Sequence, residues 1–102
     1  MAATYRIVFT PEARDQLDQL HAFISAAADS EIASGYVNDI IDHIAGLSEF
    51  PDRGTPRDDL RSGLRTIAWR RRVTIAFMVE EVHVVVIGIF YGGRDFESLL
   101  AD

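Results

Sequence analysis

Arginine is the residue type whose number and spacing in this 102-residue chain are best suited to binding chemistry. All ten basic residues are arginines, and seven of them lie in residues 53–72, which we call the arginine segment. It holds only two acidic residues and has a net charge of +5, whereas residues 1–52 have −7 and residues 73–102 have −4. Guanidinium groups bind carboxylates and phosphates through paired hydrogen bonds. The segment therefore predicts a surface for an anionic partner, formed by Arg53, Arg57, Arg61, Arg65, Arg70, Arg71 and Arg72.

Two interpretations of the arginine segment are open. Its arginines bind a phosphate backbone or an acidic protein, or they pair with the acidic helices of the same chain, as many surface charges do at little gain in stability. Arg70–Arg72 limit the choice, because three consecutive charges between Trp69 and Val73 are costly to remove from water. At least one of these three must face solvent or a partner.

Other residue types indicate catalysis less strongly. His21, His43 and His83 do not have the spacing of a metal-binding pair, and the chain has no cysteine, so we expect neither a metal nor a cofactor. Tyr91, close in sequence to Arg94, is either a general acid–base group or an aromatic anchor at the end of a strand. The sequence has no nucleophile elbow, phosphate-binding loop or Ser–His–Asp order. Binding is therefore favoured over catalysis.

A strand and two amphipathic helices are predicted in the first half. Residues 4–9 are rich in β-branched and aromatic types, which is typical of a strand. Thr10 is a helix cap with a proline after it, and the apolar stripe of that helix is Ala13, Leu17, Leu20, Ile24 and Ala27. A second helix, capped by Asp29 or Ser30 and ended by Pro51, has the stripe Tyr36 or Val37, Ile40, Ile41, Ile44 and Leu47. The short link between them predicts a helical hairpin.

The second half predicts a loop and three strands. Residues 51–63 are rich in Pro, Gly and Asp and form the loop. The strands are residues 64–69, 72–79 and 82–90, and the last is apolar at nearly every position, so we place it centrally with both faces covered. Residues 96–100 form a short helix or strand. The fold class is thus α+β, with an N-terminal strand and an antiparallel two-helix hairpin packed on a small antiparallel sheet.

Length and composition fit one domain over residues 1–102. The N-terminus shows no basic and apolar signal pattern, and the longest apolar stretch, Val84–Tyr91, is far too short to cross a bilayer. We therefore expect a cytoplasmic protein that does not bind a membrane.

A series of motifs runs in a fixed order along nearly the whole chain. It begins with a strand that leads into a capped helix, continues through a linker of Pro, Gly and Arg, and ends with Gly-x-Arg-Asp before two leucines. The motifs are residues 5–13, 47–51, 54–57, 60–65, 92–95 and 99–100. This ordered set resembles the ParE/RelE toxin superfamily of bacterial type II toxin–antitoxin systems, and within it the ParE branch.

The resemblance implies a ParE-like toxin that inhibits DNA gyrase by binding it, with plasmid stabilisation as its biological role. It also implies a cognate antitoxin that neutralises the toxin, and contact with operator DNA only through that antitoxin. In such a toxin, apolar residues of the first helix and the sheet form a groove for a partner segment. Charge complementarity would come from Arg57, Arg61, Arg65, Arg70 and Arg94.

Cleavage of mRNA on the ribosome, as in the RelE branch, is the main alternative. Carried over by position, the catalytic candidates would be Arg65, Arg72 and Tyr91. The histidine expected beside the tyrosine is absent, because Phe90 precedes Tyr91 and Gly92 follows it, and this favours binding over cleavage. A third possibility is a toxin that has lost its activity and serves only as an antitoxin-binding partner or operator co-regulator.

Overall fold

The computed structural model describes residues 4–92 and 96–100, which form a five-stranded sheet with two long helices on one face. The strands lie in the order β1-β5-β4-β3-β2. Their bounds are Arg6–Phe9 for β1, Thr55–Pro56 for β2, Leu64–Trp69 for β3, Val73–Glu80 for β4 and His83–Tyr91 for β5. The helices are α1 (Pro11–Ala27), α2 (Ser30–Ala45) and the short α3 (Phe96–Leu100), with a 3₁₀ turn over Gly46–Ser48.

The predicted α+β fold is confirmed, and its sheet is mixed rather than wholly antiparallel. Strands β2 to β5 pair in antiparallel fashion, whereas β1 runs parallel to β5, with Arg6 opposite His83 and Phe9 opposite Val86. The direction of β1 follows from where the helical hairpin leaves the sheet. The apolar pattern of a four-residue strand does not encode that placement.

Both long helices begin at the caps that the sequence predicts. Thr10 Oγ1 accepts a hydrogen bond from the Ala13 N–H at 3.2 Å, and Asp29 Oδ1 accepts one from the Ile32 N–H at 2.8 Å. Helix α2 ends earlier than predicted, because the chain tightens into the 3₁₀ turn well before Pro51. Each helix of the hairpin therefore begins at a side-chain cap, and the second helix ends in a 3₁₀ turn.

The main core lies between the two helices and the sheet. Its fully buried members include Ile40 and Ile44 from α2 and Phe77 and Val86 from the sheet. Ile41, which the sequence predicts to be in the apolar stripe, is 39% exposed. It lies about 100° around the helix from the buried Ile40 and therefore faces away from the core. A smaller core on the opposite sheet face consists of Leu64, Ala76, Phe90 and Leu100. Strand β5 is thus covered on both faces, as its apolar run predicts.

A bulge in β5 decides which of its later residues face the helices. Ala76 pairs with Gly88 and Phe77 with Val86, so Ile87 is an extra residue in the ladder. After the bulge, Ile89 and Tyr91 contact the helix-side core. The end of β5 therefore presents these two side chains to α1.

Candidate functional site

The arginine segment is divided among three places in the fold. Arg53 and Arg65 lie together where the loop after α2 meets β3, and Arg57 lies beside α3. Arg70–Arg72 form the turn between β3 and β4, at the opposite end of β3 from Arg65. Trp69 is four positions further along the strand than Arg65, or about 13 Å away. The segment is one run in sequence and does not form one patch in space.

Arg65 holds the loop before β2 in place. Its Nη2 donates to the Asp52 carbonyl at 2.6 Å and its Nε to the Arg53 carbonyl at 3.1 Å. The next residue, Gly54, has a φ of +87°, and an added Cβ would lie 2.5 Å from the Thr66 carbonyl oxygen. Arg65 therefore anchors a loop that approaches β3 too closely for any residue but glycine.

Arg57 is bound to acidic groups of the same chain. Its guanidinium donates to both carboxylate oxygens of Asp59 at 3.0 and 2.9 Å and to Glu97 of α3 at 2.7 Å. The hydrogen bond to Asp59, followed by that to Glu97, raises the pKa of Arg57, and the hydrogen bond from Arg57 lowers the pKa of Asp59. Its charge is thus largely balanced internally. Arg61 is half-buried nearby and lines a groove with Leu99 and Leu100.

Arg70–Arg72, which we call the arginine turn, carries most of the exposed charge of the segment, and Arg53 is also exposed. The Arg72 N–H donates to the Trp69 carbonyl at 3.2 Å, and Arg70 and Arg71 have φ values of 51° and 61°. These left-handed conformations are those of a type I′ turn. All three residues are exposed, so the prediction that at least one faces solvent or a partner holds. Arg70 lies 4.3 Å from the centre of the Trp69 ring and 3.4 Å from Asp39 of α2.

An aromatic cluster lies beneath the arginine turn. The Tyr36 ring contacts Trp69 edge-on at 4.8 Å between centroids and Tyr91 at 6.3 Å, and Tyr91 contacts Phe23 at 5.8 Å. The Tyr36 hydroxyl is buried and has no hydrogen-bond partner within the described ranges. Burial, and secondly the nearby Tyr91, raise the pKa of Tyr36, while Arg72 and Arg70 act in the opposite direction. The sequence pattern places Tyr36 in an apolar stripe and does not indicate this environment.

A groove runs from the aromatic cluster between α1 and the end of β5. It has a volume of about 220 Å³ and is lined by Gln16, Gln19, Leu20, Phe23, Ile89 and Tyr91. We call it the aromatic groove. Phe23 is 58% exposed at the rim of the groove, where its ring contacts Tyr91. The aromatic groove lies between the first helix and the sheet, where a groove for a partner segment is expected. Phe23, a large apolar residue outside the predicted stripe, is the sequence feature that could have indicated it.

Both the sequence and the fold of this chain are similar to known proteins. The sequence matches the family model for the ParE toxin of the type II toxin–antitoxin system parDE over residues 7–96. The chain belongs to this family. Its fold is similar to that of the chromosomal ParDE TA system from P. aeruginosa, with a TM-score of 0.77 and 21% identity over 89% of this chain and 99% of that chain. None of the curated proteins gives a significant match.

The remaining predicted site residues of this ParE-family protein do not lie in one place. Arg72, the last residue of the arginine turn, lies beside the end of β5, where the Gly92 N–H donates to the Arg72 carbonyl at 2.8 Å. Arg65, the third residue proposed for RNA cleavage, is at the other end of β3. Arg94 falls outside the described residues. Residues 4–92 and 96–100 contain no group of three or more potential metal ligands and no helix long and apolar enough to span a membrane.

Proposed function

We propose that this ParE-family toxin acts by binding DNA gyrase and inhibiting it, and that a cognate antitoxin neutralises it. It would act as a single domain over residues 1–102 in the bacterial cytoplasm and serve to stabilise a plasmid or other replicon. The observation that best supports binding over cleavage is the separation of Arg65 from Arg72 and Tyr91. The three candidate catalytic residues do not converge on one substrate position, as general acid–base catalysis requires.

The arginine turn is the best candidate for electrostatic recognition. Arg70 and Arg71 have left-handed backbone conformations, which cost roughly 1–2 kcal/mol per residue for side chains other than glycine. Asparagine or glycine would fit these positions without that cost. Backbone strain of this kind is frequent at functional sites, which is consistent with a role for these side chains. Charges exposed there would attract and orient a negatively charged protein surface.

The other proposed partner-binding arginines differ in what binding would require. Arg57 and Arg65 would have to exchange hydrogen bonds that they now make within the chain. Among the described residues, Arg70 has one long ion pair, between exposed groups, and a contact with the Trp69 ring, so it can turn to a partner at little cost. Arg61 and Arg94 remain proposed partner-binding residues.

We propose that the antitoxin covers the aromatic groove and the arginine turn together. Phe23 and Leu20 offer an apolar surface for a partner segment, and the arginine turn offers complementarity to acidic residues. The toxin has a net charge of −6, which opposes binding to a phosphate backbone over any large area. Operator DNA would therefore be contacted through the antitoxin.

Two charge-reversal variants test whether the arginine turn is part of the gyrase-binding surface. Arg70→Glu should weaken inhibition of gyrase supercoiling about tenfold or more, because a lost charged hydrogen bond is worth about 1.5–3 kcal/mol. Arg14→Glu is the matched control, since Arg14 is exposed on α1. Equal inhibition by the two variants would remove the arginine turn from the gyrase interface.

Cleavage of mRNA remains the second candidate, and the proximity of Arg72 to Tyr91 is the observation in its favour. Primer extension on translated mRNA would then show new 5′ ends that disappear with Tyr91→Phe. If overexpression is harmless and neither gyrase nor mRNA is affected, the third function, an antitoxin-binding protein without toxicity, is supported instead.

A further inference from the structure

The second half of β5 has an edge that no strand in the described part of the chain covers. Strand β1 pairs with β5 only over His83–Val86, after which the Thr10 N–H donates to the Val86 carbonyl at 3.0 Å and the chain enters α1. Further along this edge, the Ile89 N–H donates to Gln16 Oε1 at 2.7 Å. A side chain from α1 thus provides the acceptor that a neighbouring strand would otherwise provide.

The backbone alternation of β5 shows that this edge continues to Tyr91. The Gly92 N–H donates towards β4, to the Arg72 carbonyl, whereas the Ile89 N–H points away from β4 to Gln16. In an antiparallel pair, alternate residues direct their N–H and C=O groups to opposite sides. Tyr91 therefore directs its backbone groups to the same side as Ile89. The edge has main-chain hydrogen-bonding groups directly beside the aromatic groove.

Gln16 also divides two grooves that lie along this edge. The aromatic groove is on one side, and on the other is a groove of about 450 Å³ whose lining includes Thr10, Ile87 and Phe90. Gln16 lines both of them. A glutamine side chain changes rotamer readily, so its displacement would join the two grooves into one path along β5.

We propose that Gln16 occupies, in the free toxin, the position that an extended segment of the antitoxin takes in the complex. The segment lies along the edge of β5, and one of its main-chain carbonyls replaces Gln16 Oε1 as acceptor for the Ile89 N–H. Its apolar side chains enter the aromatic groove against Phe23, and acidic residues follow at the end nearest the arginine turn. This inference rests on the proposed function for the identity of the partner.

The direction in which truncation of Gln16 changes the affinity for the antitoxin tests whether this side chain competes with the antitoxin segment. The probe is the protein encoded by the reading frame adjacent to the gene of this chain, co-expressed and purified with it. Gln16→Ala should bind the probe roughly 2- to 10-fold more tightly, because the competing intramolecular hydrogen bond is gone. Gln19→Ala, which lines the same groove and has no such bond, should change affinity less than twofold. Unchanged or weaker binding by Gln16→Ala overturns the inference.

The conservative variant Gln16→Glu should move affinity in the other direction. It retains the acceptor and makes the hydrogen bond to Ile89 charge-assisted, which is stronger. Gln19→Glu places the same charge in the same groove and measures simple repulsion of an acidic partner. Gln16→Glu should bind the probe several-fold more weakly than Gln19→Glu, and equal affinities of the two variants contradict competition for the Ile89 N–H.

Amide hydrogen exchange of Ile89 follows the hydrogen bond itself. In free Gln16→Ala this amide should exchange faster than in the parent protein, and addition of the probe should slow it again. A complex that forms while the Ile89 amide of this variant stays fast overturns the inference and leaves the proposed function intact. If no complex forms with the probe, the proposed antitoxin partnership fails, and the inference fails with it.

Discussion

The buried hydroxyl of Tyr36 gives a sharp test of the side-chain packing around the site. Tyr36→Phe removes that hydroxyl and keeps the ring, so the edge-on contact with Trp69 and the contact with Tyr91 are retained. Because the hydroxyl has lost its water and gained no partner in the described chain, it destabilises the folded state. The phenylalanine variant should therefore be more stable than the parent protein, whereas most core substitutions are destabilising.

The size of the effect follows from the environment of the hydroxyl. A buried polar group without a hydrogen bond costs about 1–3 kcal/mol. Tyr36 as a whole is only half-buried, which places the expected gain near the lower end, at about 1 kcal/mol. Urea denaturation at neutral pH would measure it. Tyr91→Phe, a tyrosine of the same cluster, is the control and should change stability by less than about 0.5 kcal/mol.

The same hydroxyl also predicts a dependence on pH. Burial raises the pKa of Tyr36 in the folded state above the ordinary tyrosine value near 10. The folded protein therefore holds this proton more tightly than the unfolded chain, and the associated stability is present below pH 10 and lost as the pH rises through the folded pKa. Tyr36→Phe should lose less stability between pH 9 and roughly pH 11 than the parent protein does. A loss of about 1 kcal/mol or more in Tyr36→Phe at neutral pH would mean instead that the hydroxyl is hydrogen-bonded in the folded protein.

Three further substitutions and an acid titration test other parts of the structure. Gly35→Ala in α2 should stabilise the protein by about 0.5–1 kcal/mol in urea denaturation, because an added Cβ meets nothing within 4 Å and alanine favours a helix. Gly54→Ala should destabilise it by more than 1 kcal/mol, because its φ is positive and its Cβ would overlap the Thr66 carbonyl; equal effects of the two changes would contradict both assignments. Acid titration should show a loss of stability that begins as the pH falls below about 4, the ordinary aspartate pKa, and continues through the lower pKa of Asp59 in the fold, where proton uptake breaks its ion pair with Arg57. Asp59→Asn should reduce that slope, and an unchanged slope would mean that the ion pair contributes nothing.

Local features of the sequence predicted the elements well. Thr10 and Asp29 act as helix caps through hydrogen bonds three residues away, so their types alone indicate where the helices begin. Strand β3 has the predicted bounds, because glycine and the arginine turn limit its apolar run. The parallel direction of β1 was not predicted, since it depends on how the helical hairpin crosses the sheet.

The candidate site was predictable in composition and not in arrangement. The excess of arginine between residues 53 and 72 was evident from the sequence, but the partners of these side chains are distant in it. Arg57 reaches Glu97, forty positions away, and Gln16 reaches Ile89, seventy-three positions away. Contacts over such separations are set by sheet order and by the bulge in β5. Only the fold therefore shows that the charge is exposed chiefly at the arginine turn.

A supercoiling assay with purified DNA gyrase tests most directly whether this toxin binds and inhibits that enzyme. Relaxed plasmid, ATP and gyrase are incubated with increasing toxin, and the antitoxin is then added in increasing ratio. If the toxin inhibits gyrase by binding it, supercoiling is lost at micromolar or lower toxin and restored as the antitoxin reaches the toxin concentration. Undiminished supercoiling at micromolar toxin, with a folded protein that still binds its antitoxin, would contradict it.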